Sequence, residues 1–346
     1  MENTVSRLLI ETTVRQTLKG LQEDPKRSVR NLVDMALQFS KGRFQSRFFE
    51  TAYVMLKKQD SAYYDLIQDA TNHIETEHLV QFGMNLGYNS CTWGAKRIRT
   101  NEERLGFNIP WTVLFTLEGS RSLDRLVQYH KAIVEGEQLG IYTWIFFLRE
   151  VDVRELLPLL REHPYSAFFL CCSPDAVNES VVKTVGEFCN LMLAVRCGDG
   201  VEEACLMLRD ARLPYAVWFP YEQQQIEAVT SGELFDRVQH LHPIFTALMP
   251  CPGCRPETQA AACEAVEMAR DGQNYTTIPW ELYTDTCRLD EIISDDACWA
   301  FFDSHGELYM PYEPQRKGEI NLFHGGLTAA LRQAYPKVST IRHRCG

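Results

Sequence analysis

The stretch from residue 111 to residue 270 constrains this chain most, because it repeats one pattern six times. A short, strongly apolar run is followed by an amphipathic segment, and then the apolar run returns. The runs are 111–117, 141–148, 167–172, 191–195, 215–220 and 244–249, and the segments after them are 122–139, 153–162, 179–189, 201–211, 222–241 and 256–270. Runs that are apolar along nearly their whole length predict strands buried on both faces, as in a parallel sheet covered by helices. The pattern therefore predicts an α/β fold, a partial (β/α)6 TIM-like barrel over residues 106–275.

The flanks read differently. Residues 1–105 predict a helical N-terminal region with no strand. Val29, Leu32, Val33, Ala36 and Leu37 fall on one helical face, and similar segments run over 47–57, 62–70 and 73–86, the last ended by Gly87. Residues 276–346 form a C-terminal extension. In it, 299–310 reads as a β-hairpin around Asp303-Ser304-His305-Gly306, and 327–335 as a closing helix.

A net charge of -11 and a pI near 5.4 argue against nucleic acid as a partner, which would require a basic face. No apolar run is long enough to span a membrane. Met1-Glu2-Asn3-Thr4 opens no secretory signal pattern, so the expected location is the cytoplasm. There the 12 cysteines are expected to be reduced, and most of them sit in apolar runs where Cys acts as a small hydrophobe.

Two groups of residues could carry chemistry. Cys251-Pro252-Gly253-Cys254 has the Cys-x2-Cys spacing of redox pairs and of zinc knuckles, just past a strand and before a helix. A helix starting near Pro256 would depress its thiol pKa values. No second pair completes a tetrahedral set, so no metal site is expected. The second group gathers where barrels place their sites, at the C-terminal ends of the strands. It comprises Glu118, Arg149, Glu150, Ser173, Arg196, Asp199, Tyr221, Glu222 and Asp285. For each residue the alternative is a solvated rim or a structural ion pair. Gly198-Asp199-Gly200 and Gly325-Gly326 lack the spacing of phosphate loops.

Residues 94–117 read Gly-Ala-Lys-Arg-Ile-Arg-Thr-Asn-Glu-Glu-Arg-Leu-Gly-Phe-Asn-Ile-Pro-Trp-Thr-Val-Leu-Phe-Thr-Leu. This closely resembles the barrel entry of a group of radical SAM proteins from gut Firmicutes. Those are iron–sulfur enzymes that cleave S-adenosylmethionine, built on a similar six-unit barrel. In that family the first strand leads into a Cys-x3-Cys-x2-Cys loop that binds a [4Fe–4S] cluster. Here Glu118-Gly119-Ser120-Arg121-Ser122-Leu123-Asp124 follows, with no cysteine.

Two further family motifs have changed. Gly-Gly-Glu-Pro after the second strand corresponds to Leu148-Arg149-Glu150-Val151, with Glu150 at the acidic position and both glycines replaced. Thr-Asn-Gly after the third corresponds to Cys172-Ser173-Pro174. A C-terminal cysteine of the relatives corresponds to Tyr312. The resemblance thus implies a degenerate member of the superfamily, without the [4Fe–4S] cluster and without S-adenosylmethionine as cofactors.

The expected function is that of a pseudoenzyme binding a protein partner or a small polar ligand at the barrel mouth. The alternatives are other chemistry at Cys251 and Cys254, redox or metal, or S-adenosylmethionine binding without a cluster. Anaerobic reconstitution with iron and sulfide is expected to give no [4Fe–4S] absorbance and no 5′-deoxyadenosine, since that chemistry needs thiolate-held iron with an open position. About four irons per chain with reductive cleavage would overturn the expectation.

Overall fold

The computed structural model describes residues 2–20, 26–28, 30–31, 33–34, 50, 53–55, 57–294, 296–309 and 318–337. Its centre is one sheet of eight strands. They are β1 (Thr112–Glu118), β2 (Thr143–Arg149), β3 (Ala167–Cys172), β4 (Leu191–Arg196), β5 (Tyr215–Tyr221), β6 (Phe245–Pro250), β7 (Ile278–Glu281) and β8 (Phe301–Phe302). Every strand pairs with its neighbours in parallel, in the order β7-β6-β5-β4-β3-β2-β1-β8. The six expected strands are all present, in sequence order, and each lies within two residues of its predicted bounds.

Both faces of the sheet are buried, which is why the strands lack a simple apolar–polar alternation. Val113, Phe115 and Leu117 of β1, Trp144, Phe146 and Leu148 of β2, and Phe168 and Leu170 of β3 face the covering helices. The alternate residues Leu114, Ile145, Phe147, Cys171, Met192, Ala194, Ala216 and Met249 form a second core on the inner side. The sheet curls around this inner core as a half-barrel. Phe82 and Leu86 from the N-terminal region, with Leu282, Tyr283 and Cys287, pack into it.

The structure adds β7 and β8 to the predicted sheet, and both come from residues 276–346. Each is an edge strand. β7 has only four residues, and one is Pro279, which has no N–H to give and is tolerated at an edge. β8 is the first arm of the expected hairpin. Phe301 and Phe302 pair with β1, and Leu308 folds back antiparallel on Phe302. Asp303 Oδ1 accepts from the N–H groups of His305 and Glu307, both at 2.9 Å, and fixes the turn. Met310, at the end of the hairpin as predicted, lies outside the described residues.

Among the described residues the N-terminal region contributes no strand to the sheet. The helices expected over 28–39 and 47–57 lie mostly outside the described residues. The helix expected over 73–86 is instead broken at Ile74. A new helix, Thr76–Gly83, then continues as a π-helix over Met84–Gly94, so Gly87 does not end it. Asn85 and Asn89 donate from this wide helix to the carbonyls of Pro164, Ser166 and Tyr165 at 2.8 to 2.9 Å, seating it under β3. The helix expected over 222–241 is split at Gly232, whose φ of +85° suits glycine.

The segment that resembles the family's barrel entry acts here as a clasp. The helix Ala95–Leu105 ends on Gly106 at φ +74°. The buried Glu102 carboxylate accepts from Ile109 N at 2.7 Å and from Lys337 Nζ at 3.1 Å. Buried Asp290 accepts from Trp111 N at 2.8 Å and from Cys298 N at 3.3 Å. Burial pushes both carboxyl groups above the ordinary range.

At the start of this segment Gly94 crosses Gly140 backbone to backbone, and a Cβ on Gly94 would strike the carbonyls of Gly140 and Asn89. Gly94→Ala is therefore expected to destabilise the protein by about 2 kcal/mol, the usual scale of overpacking, read as a lower urea midpoint with an unchanged slope. A midpoint equal to wild type would show that the crossing can relax.

Candidate functional site

Because all strands run in parallel, their C-terminal ends gather at one end of the half-barrel. Side chains alternate along a strand, so the inner-core residues identify which rim residues face inward. Leu114 places Glu118 on the inner side, Ile145 and Phe147 place Arg149, Cys171 places Ser173, and Met192 with Ala194 places Arg196. Glu118, Arg149 and Arg196 are exposed, and Ser173 is half-buried. β1 and β2 are in register with Glu118 beside Arg149. The Glu118 carboxylate turns to Ser304 Oγ at 3.3 Å, which ties β1 to the hairpin turn.

Arg149 and Arg196 stand on either side of Ser173. Strand spacing places their Cα atoms about 10 Å apart, close enough for two long guanidinium side chains to meet over one ligand. Arg196 lies over the Trp218 ring at 5.7 Å. Trp218 packs edge-on against Phe147 at 5.2 Å between ring centroids, and Phe147 against Phe301 at 5.8 Å. Arg196 thus sits above an aromatic floor, with Arg149 two strands along the same rim. Glu150 follows Arg149 at φ +53°, a left-handed backbone that costs a non-glycine residue about 1 kcal/mol. Asp199 is exposed after β4, and Glu222 is half-buried after β5.

Two expected rim residues are instead buried, Tyr221 on the outer side of the sheet and Asp285 in an ion pair. Tyr221 is wholly buried, and its hydroxyl donates to Glu281 Oε1 at 2.7 Å. Asp285 sits in the helix Leu282–Ser294, where it receives both Arg270 nitrogens at 2.8 and 2.9 Å and the Glu281 N–H at 2.9 Å. Tyr221 alternates with inward Trp218, so its position was readable from pleat parity. Asp285 follows a strand too short to be seen in the sequence. Glu281, missed in the sequence, is the centre of this cluster. Burial raises its pKa, while Thr284 N and Tyr221 oppose the shift by hydrogen bonding to it.

Cys251 and Cys254 close a tight turn directly after β6. Cys254 N donates to Cys251 O at 2.9 Å, and Gly253 at φ +89° after Pro252 gives the type II form. Cys251 N donates to Tyr221 O at 2.9 Å, continuing the β5–β6 ladder. Both thiols are half-buried. The expected depression of their pKa values is not found. Burial, then Glu222, raises that of Cys251 against the pull of Arg196 and Arg149. Burial, with Cys251, Glu281 and Glu222, pushes Cys254 up to about 11. Desolvation and nearby carboxylates outweigh the N-terminus of the helix Pro256–Gly272.

The loop after β1 offers nothing that would hold a cluster. Gly119–Leu123 forms a single helical turn, and Ser122 Oγ accepts from Glu118 N at 2.8 Å inside it. No thiolate is present there, so the residues do not fit a [4Fe–4S] group. Among the described residues no three His, Cys, Asp or Glu side chains are placed to hold a metal ion.

The fold and the rim together define an all-parallel α/β half-barrel whose mouth carries both acidic and basic side chains. No family model matches the sequence, and no curated protein is detectably similar to it. Among solved structures, that of SuiB from Streptococcus suis bound to S-adenosylmethionine is similar with a TM-score of 0.49 and 11% identity, over 68% of this chain and 66% of that one. A second SuiB structure gives 0.47 and 9%, over 92% of this chain and 80% of that one. Type I 3-dehydroquinate dehydratase from Clostridium difficile gives 0.38 and 12%, over 57% and 85%. The fold is defined by this chain's own order of eight parallel strands.

The Glu281 cluster makes a pH prediction. A carboxyl group with a raised folded pKa holds its proton longer when folded than when unfolded, so stability falls as pH rises from the ordinary carboxylate range through the folded value. Glu281→Gln keeps the shape and removes that titration. Its melting temperature relative to wild type should rise as the pH is raised above the ordinary carboxylate range. A constant difference would mean that Glu281 titrates as an ordinary carboxyl group.

Proposed function

We propose that this chain is a degenerate radical-SAM-like barrel, a pseudoenzyme whose mouth binds a small polar ligand carrying a carboxylate or phosphate. The observation that carries this reading is the pair Arg149 and Arg196. Both are exposed, both sit on the inner side at strand C-terminal ends, and neither has an ion-pair partner among the described residues. Glu118 lies in register beside Arg149, yet neither guanidinium group is consumed in an ion pair among the described residues, so both remain open to an added anion. Planar guanidinium groups recognise carboxylate and phosphate through paired hydrogen bonds.

The rest of the rim supports the same reading. Ser173 lies between the arginines and offers a hydroxyl donor. The rings of Trp218 and Phe147 give the body of a ligand an apolar surface. The loop after β1 carries no thiol, so the ligand is read as bound rather than cleaved by radical chemistry.

Isothermal titration with inorganic phosphate, and separately with S-adenosylmethionine, tests the reading. Phosphate is expected to bind the wild type, and Arg149→Ala or Arg196→Ala to weaken it by about tenfold each, the loss of one charge-assisted contact. Equal affinity in both variants would remove the arginines from any site. S-adenosylmethionine binding that survives both substitutions would favour cluster-free binding of that molecule.

A further inference from the structure

The Cys251–Cys254 turn follows β6 at the same end of the half-barrel as Arg149 and Arg196, and the geometry points to a second property of the mouth. We propose that Cys251 and Cys254 form a reversible disulfide, by exchange with a small-molecule disulfide, and that this bond weakens anion binding at Arg149 and Arg196. The second half rests on the reading of the mouth as an anion site.

The turn supplies the geometry. Its N–H···O bond of 2.9 Å between Cys254 and Cys251 holds the two Cα atoms within about 7 Å, inside the range a disulfide spans. Pro252 and Gly253 at φ +89° fix that closure before any bond forms. Both thiols are partly open to solvent, so a small disulfide can reach them. They face different surroundings. Cys251 follows the inward parity of Phe245 and Met249, within the fields of Arg149, Arg196 and Glu222. Cys254 packs with the outer core, and its Sγ lies 3.8 Å from the Arg255 carbonyl. A disulfide holds its two sulfurs about 2 Å apart, so the bond must shift the turn that borders the mouth.

The exchange balances. The Cys251 thiol loses its proton to solvent and attacks one sulfur of the small disulfide. A mixed disulfide forms, and one small thiolate leaves and is protonated. The Cys254 thiolate then attacks the Cys251 sulfur and expels the second small thiolate. Two electrons pass from the protein dithiol to the small disulfide, and two small thiols result. Attack requires thiolate, and both thiols hold their protons above the usual range, so oxidation should be slow at neutral pH and faster in alkali.

The full chain is equilibrated against a ladder of oxidised and reduced glutathione. Free thiols are then alkylated and read at each cysteine by peptide mass spectrometry. The expected result is loss of alkylation at Cys251 and Cys254 together, restored by reductant, with Cys254→Ser trapping glutathione on Cys251. Continued alkylation of both across the ladder, or a bond from either to another cysteine, overturns the proposal.

Phosphate titration of the two redox forms tests the coupling. About tenfold weaker binding is expected in the oxidised form. By reciprocity, saturating phosphate should raise the midpoint by about 30 mV, which is that factor for a two-electron couple. A bond that forms without changing phosphate affinity also overturns the proposal. Absence of phosphate binding to the reduced chain overturns the anion-site reading instead, and alkylation alone then decides whether the disulfide exists.

Discussion

One buried carboxylate holds the two ends of the sheet's history together. Asp290 accepts from Trp111 N, one residue before β1, and from Cys298 N, three residues before β8. The first strand to be made and the last therefore start from the same oxygen pair. Their parallel pairing, Leu114 beside Phe301, follows from that anchor. Such a strand pair has no tight turn to set its register, since nearly the whole barrel lies between the two strands. An acid that is fully buried and still satisfied by two backbone donors does the work of a turn.

Around this anchor the fold was legible to the extent that burial is two-sided. β1 to β6 each bury both faces, and a continuous apolar run records that in the sequence. β7 was not legible, and β8 was read as a hairpin arm but not as a strand of the sheet, because edge strands need neither length nor continuous hydrophobicity. Ile278-Pro279-Trp280-Glu281 contains a proline and an acid, both unfavourable in a central strand. The helix over 222–241 was misread for a different reason. Its apolar spacing continues across Gly232, but the backbone there turns left-handed and starts a second helix.

The rim was legible by position but not by direction. Glu118, Arg149, Ser173 and Arg196 do share the inner side, because each ends or follows a strand at the right parity. Tyr221 has the opposite parity and is sealed against Glu281. Asp285 is spent on Arg270. The thiols show the limit of a local rule. A helix follows Cys254, yet burial and the carboxylates of Glu222 and Glu281 set its proton affinity, and none of these is adjacent in sequence.

The packing of the inner core limits what the mouth can do. Phe147, Cys171 and Met249 are buried on the inner face towards the strand C-terminal ends, and Phe82 and Leu282 join the same inner core. Among the described residues the half-barrel has a rim but little well. A molecule held by Arg149 and Arg196 would rest at the surface, with bulk water on one side and fast routes in and out. A shallow seat exchanges its occupant readily with the solvent. What such a seat does allow is sampling, an occupancy that tracks the surrounding concentration from moment to moment.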